Sequence, residues 1–147
     1  MVSELRRPER CTPNVASWAD AAPPAALLIS AITALEIEAG TLQFAARDPA
    51  LGAILRAWIN QHVLPAFAGR ILPVDTDVAL RCASLHLPTW RHDGDKLIAA
   101  TELVHRLTVV THNETDFIPT DVAVLNPWMA GSSSGADKRS GGARLPP

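Results

Sequence analysis

Between Thr12 and Leu125 the apolar positions follow two periods that alternate along the chain. Thr12-Pro13 has the form of an N-cap with proline at the first helical position, and Val15, Trp18, Ala19 and Ala22 then share one predicted face. Leu27–Ser30 (LLIS) is short and apolar, as a buried parallel strand should be. Ile32, Leu35, Ala39 and Leu42 return to helical spacing. Asp48-Pro49 opens a further helix, with Leu51, Ile54, Leu55, Trp58 and Ile59 in a wide apolar stripe. Arg70–Val74 (RILPV) reads as a second strand, and Asp75 as the cap of a helix that turns Val78, Ala79, Cys82 and Leu85 inward. After a polar turn around Trp90–Gly94, a helix runs through Leu97, Ile98, Thr101, Val104 and His105. Leu107–Thr111 (LTVVT) is the most strand-like run, and Val122–Leu125 makes a weaker last strand before Asn126-Pro127.

Strands alternating with helices predict an α/β sandwich around a mostly parallel sheet, whose ligand crevice lies beyond the carboxyl ends of the strands. Carboxylates stand at those places. Glu36 lies one turn beyond LLIS, Asp116 follows LTVVT, and Asp95 stands at the start of the helix leading into that strand. Acids brought to one end of a sheet repel unless a cation compensates, and hard oxygen ligands select Mg²⁺ or Mn²⁺. A bound metal can activate water and stabilise charge on a phosphodiester. Each acid also has an ordinary structural explanation: Asp95 as a helix cap, Glu36 on a solvated face, Asp116 in a loop.

Composition narrows the field. The 147 residues make one domain, with 48% hydrophobic and 19% charged positions, which is a folded, soluble balance. Such a chain buries roughly 68–70% of its unfolded surface and needs no metal or disulfide to fold. Thirteen basic against fifteen acidic residues give a net charge of −2, which argues against a wholly cationic nucleic-acid-binding surface. The basic run Arg6, Arg7 and Arg10 is a solvated surface or a phosphate contact. Cys11 and Cys82 lie far apart with no CxxC, as suits a reducing cytoplasm and not a cysteine zinc site. Pro23-Pro24 interrupts the longest uncharged stretch, Ala21–Leu35, so no membrane span is expected. Neither GxxxxGK[ST] nor GxGxxG occurs, and the five histidines lack HExxH spacing. Residues 129–147 are rich in Gly, Ser and Pro, without apolar period, and read as a disordered tail carrying Lys138, Arg139 and Arg144 after a domain at 1–128.

The segments VSELRRP, SAITALEIEAG, RILPVD, DKLIAATELVHRLTVVTHNETDF and LNPW occur in this order. Together they resemble the PIN-domain ribonucleases, and in particular the VapC toxins of toxin–antitoxin pairs. The resemblance covers nearly all of residues 1–128. It implies a PIN-like three-layer α/β sandwich and a metal-dependent endoribonuclease. Glu36 in ALEIEAG, Asp95 in DKLIAAT and Asp116 in NETDF would be the catalytic, metal-holding acids, with Asn113 as a polar support. It further implies Mg²⁺ or Mn²⁺ as cofactor, RNA as substrate, a VapB-like antitoxin as partner and a homodimer in the cytoplasm. The family's first apolar strand, central in its sheet and ending in an aspartate, precedes the VSEL motif and has no counterpart in these residues. The alternative is accordingly a catalytically inactive PIN-like protein that only binds its antitoxin.

Overall fold

A computed structural model describes residues 11–85 and 93–129, and the side chains from Gly94 onward in the second segment. The expectations for Arg6, Arg7 and Arg10, for VSELRRP and for the tail beyond Met129 lie outside the described residues. Helix α1 (Pro13–Ala21) starts on Pro13, although Thr12 makes no side-chain cap, and buries Val15. Its last backbone bond runs from Ala22 to Trp18, and Pro23-Pro24 prevents continuation. Strand β1 (Ile29–Ser30) is buried, and the Ser30 hydroxyl accepts from Thr33 N at 3.0 Å, capping α2 (Ala31–Arg47). Asp48 closes α2 and caps α3 (Pro49–Trp58) by accepting from Leu51 N.

Helices α2 and α3 form an antiparallel hairpin in which Gly52 is buried. A side chain there would fall on the Cα and Cβ of Ala45. A π turn (Ile59–Val63) leads into the short α4 (Leu64–Ala66), and Gly69, at φ 72°, takes the left-handed conformation that returns the chain to β2 (Ile71–Leu72). Arg70 ties this corner together by donating to the carbonyls of Pro24, Leu27 and Ala66. Asp75 caps α5 (Thr76–Ser84) through Val78 N at 2.9 Å. Helix α6 (Asp93–His105) ends at Arg106, a non-glycine residue at φ 56°, and leads into β3 (Thr108–Val110). A 3₁₀ turn (Glu114–Asp116) precedes β4 (Ala123–Leu125).

All strand pairing is parallel: Ile29 faces Ile71 in one pair, and Val109 faces Val124 in the other. The mixed α/β, mostly parallel layering is as expected, and among the described residues it comprises two parallel ladders, β1–β2 and β3–β4. They are linked through α2 and α6, which pack on one another. The strand that the family resemblance places at the centre of the sheet has no counterpart among the described residues. The core of the second half is Ala99, Val109 and Phe117, backed by Leu85, Ile98, Val122 and Val124.

On the hairpin, helical spacing does not settle which residues are buried. Leu35, Leu42 and Ile54 are 61%, 51% and 62% exposed, and α2 buries Thr41 instead, whose hydroxyl bonds back to Ile37 O. On α5, Val78 is fully buried whereas Ala79 is exposed.

Candidate active site

Helix α2 carries a carboxylate to the start of α6 where the two helices meet. Glu36 leaves the second turn of α2 and reaches the first turn of α6. Its Oε1 lies 2.9 Å from the point where a Gly94 side chain would begin. Gly94 therefore supplies the space that the carboxylate occupies, and Asp95 is the next residue on the same turn. The first turn of a helix carries exposed N–H groups and the positive end of its dipole, which favours negative charge there. Asp95 is half-buried while Glu36 is exposed.

Asp116 stands on the 3₁₀ turn after β3 within its own hydrogen-bonded loop. Asn113 Nδ2 donates to Asp116 Oδ2, Thr115 Oγ1 donates to Asn113 Oδ1 at 3.0 Å, and Asn113 N donates to Thr111 Oγ1 at 3.1 Å. Phe117, buried in the core, anchors the downstream end of this turn. The structure thus brings Glu36 to the turn bearing Asp95 and joins Asn113 to Asp116. Among the described residues, however, no three His, Cys, Asp or Glu side chains close into a metal-holding group.

The donor chemistry nevertheless fits a hard cation. Mg²⁺ commonly takes one or two carboxylates from a protein and completes its octahedron with water and substrate phosphate oxygens. Glu36, which reaches the first turn of α6, and Asp95 on that turn are carboxylates that could supply such ligands, and Asp116 lies on the turn that follows β3.

Other polar features escaped sequence reasoning. Asn126 is buried, donates from Nδ2 to Glu114 Oε1 at 2.6 Å and accepts at Oδ1 from Trp128 N at 3.1 Å. Its only sequence signal was its place in LNPW. Trp128 packs edge-on against His112, with ring centroids 5.2 Å apart, and its carbonyl accepts from Asn14. On α6, burial pushes the Glu102 carboxyl up to about 7. The signal was a lone acid inside the otherwise apolar LIAATELV run.

A parallel α/β layering with acids at the strand ends is the architecture of a PIN-like domain, and comparison with known proteins agrees. No protein-family model matches the sequence. Individual relatives do. Toxin FitB of Neisseria gonorrhoeae is 36% identical over 135 residues, covering 87% of this chain and 94% of FitB. VapC ribonuclease Y4jK of Sinorhizobium fredii is 32% identical, covering 87% and 93% respectively. Among solved structures, FitAcB from Neisseria gonorrhoeae superposes with a TM-score of 0.77 at 34% identity, covering 88% of this chain and 94% of the matched one. FitAB bound to an IR36 DNA fragment gives 0.74 at 32% identity, covering 90% and 94%. The chain belongs to the VapC-type family of PIN-domain toxins, a ribonuclease family of toxin–antitoxin systems. No helix among the described residues is long and apolar enough to cross a membrane.

Proposed function

We propose that this protein is a metal-dependent endoribonuclease of the VapC toxin type. Glu36 and Asp95 would hold Mg²⁺ or Mn²⁺, with Asp116 completing the acidic face and Asn113 orienting it. The observation that carries this reading is the reach of Glu36 to the turn bearing Asp95, across the vacant side of Gly94. When bound, the metal supplies charge neutralisation and lowers the pKa of attacking water. The protein's own contribution is to fix the two carboxylates on rigid helices and to hold Asp116 through Asn113. A phosphodiester of RNA is the substrate class, and the partner is a VapB-like antitoxin, consistent with the FitAB complexes of the relative. A homodimer is the oligomer proposed.

Cleavage of a labelled RNA by the purified chain, with Mg²⁺ or Mn²⁺ and then with EDTA, tests the proposal. Divalent-dependent cleavage that falls at least about a hundredfold in Asp95→Ala is the expected result. Cleavage at the unsubstituted rate in that variant overturns the assignment.

One observation favours a second reading, in which the protein is inactive and only captures its antitoxin. The three acids do not close into a group among the described residues. Calorimetry with Mn²⁺ separates the two, because a pure interaction module gives no saturable binding.

A further inference from the structure

The closing LNPW segment has no role in the reading above, yet it is wired into the acidic turn. The turn Glu114–Asp116 is pinned downstream by Phe117, whose N–H bonds to Glu114 O at 3.0 Å and whose ring is buried against the core. Just upstream of it, His112 packs edge-on against Trp128, with ring centroids 5.2 Å apart. On the turn itself the exposed Glu114 carboxylate accepts from the buried amide of Asn126 at 2.6 Å. Asn126 follows β4, whose register with β3 is continued by a bond from Thr111 N to Leu125 O at 3.1 Å. The position of Asn126 is therefore set by the ladder and not by the loop it holds.

The residue type matters as much as the position. The Asn126 side chain donates to Glu114 while accepting from Trp128 N at 3.1 Å. Only an amide does both at this length; Asp lacks the donor and Ser lacks the reach. A hydrogen bond to a charged acceptor is stronger than one between neutral groups.

We propose that Asn126 is a positioning residue, which fixes the Asn113–Asp116 turn through Glu114 and so presents Asp116 to the divalent cation. This rests on the metal-dependent reading above. Outer partners of this kind typically change metal affinity by roughly 10–100-fold when removed.

The test is Mn²⁺ binding by calorimetry, with a thermal melt on each variant of the full chain. Asn126→Asp removes the donor and sets a second carboxylate against Glu114. Its Mn²⁺ affinity falls at least tenfold. Glu114→Gln keeps an acceptor for Asn126 and stays within twofold of the unsubstituted protein. The double variant reverses donor and acceptor, since the amide introduced at position 114 then donates to the new carboxylate, and it recovers affinity to within threefold. Loss of stability alone would lower the fraction that binds without changing the dissociation constant or producing the rescue. The proposal is overturned by folded Asn126→Asp with affinity within twofold, or by a double variant no better than Asn126→Asp. If Asn126→Asp does not melt cooperatively, Glu114→Ala decides the matter at an exposed position. A tenfold loss beyond that of Glu114→Gln supports positioning, and equal affinities overturn it. Absence of saturable Mn²⁺ binding by the unsubstituted chain is a distinct result, and it removes the metal reading together with this one.

Discussion

At the residue scale, the candidate site depends on an absent side chain. Gly94 lies in the first turn of α6 without any positive φ, so its backbone does not require glycine. What excludes a larger residue is Glu36 Oε1 at 2.9 Å from the Cβ position, with Ile32 Cγ2 behind it at 3.5 Å. The carboxylate lies at the far end of a flexible side chain and can shift. Alanine in a helix is favoured over glycine by about 1 kcal/mol, so Gly94→Ala should melt at an equal or higher temperature. It should also displace Glu36 and weaken Mn²⁺ binding about tenfold in calorimetry. Unchanged affinity would show that Glu36 takes no part in holding the cation. The sequence pattern marked Glu36, Asp95 and Asp116 because each follows or precedes a strand-like run. It could not mark Gly94 or Asn126, whose roles exist only where α2 meets α6 and where the last strand passes the acidic turn.

At the element scale, caps and periods were legible because they are local. Asp48 and Asp75 each accept from the N–H three residues on, as expected of helix starts, Ser30 does so at the end of a strand-like run, and Thr12 makes no such cap. Which way an apolar stripe faces is not local. Leu35, Leu42 and Ile54 satisfy helical spacing yet stand exposed, because the hairpin closes on Gly52 and Ala45 through small residues instead. Gly52→Ala therefore overpacks the contact and should cost roughly 1–3 kcal/mol in urea denaturation. Arg70 makes the complementary case for a polar joint. Its guanidinium serves three carbonyls from two separate segments, Pro24 and Leu27 on one and Ala66 on the other, and lies over Phe67, 5.3 Å from the ring centroid. A lysine keeps the charge but offers no planar fork, so Arg70→Lys should lose roughly 1–3 kcal/mol by the same measurement. A loss below about 0.5 kcal/mol, the scale of an ordinary surface change, would mean that water replaces those bonds freely.

At the scale of the whole molecule, the order of elements and their parallel layering were readable, and the pairing of the strands was not. Alternating periods reveal which segments are strands, but the neighbour of a strand depends on residues far away in sequence. Thus LLIS and LTVVT both read as strands of a parallel layer, but nothing local in either dictates that β1 pairs with β2 and β3 with β4. Helix α6 bridges the halves, carrying Asp95 where it meets α2 and Glu102 near its other end. Burial raises the Glu102 carboxyl from 4.5 to about 7, so the folded state holds a proton that the unfolded chain releases. Between these two values the native state binds more protons than the unfolded one, and stability falls as pH rises through that window. Each unit is worth about 1.4 kcal/mol, and after allowance for partial solvent contact the total is on the order of 2 kcal/mol. Glu102→Gln removes the titration while keeping the shape. The two proteins should therefore melt nearly together at about pH 5, and the variant should melt roughly 4–8 °C higher at about pH 8. Histidine titration affects both alike and drops out of the difference. A gap that is the same at both pH values would place Glu102 in solvent and remove the reason for its raised pKa. A gap that opens with pH would show that the helix joining the two halves holds an acid which is neutral in the native state at low pH and costs stability once ionised.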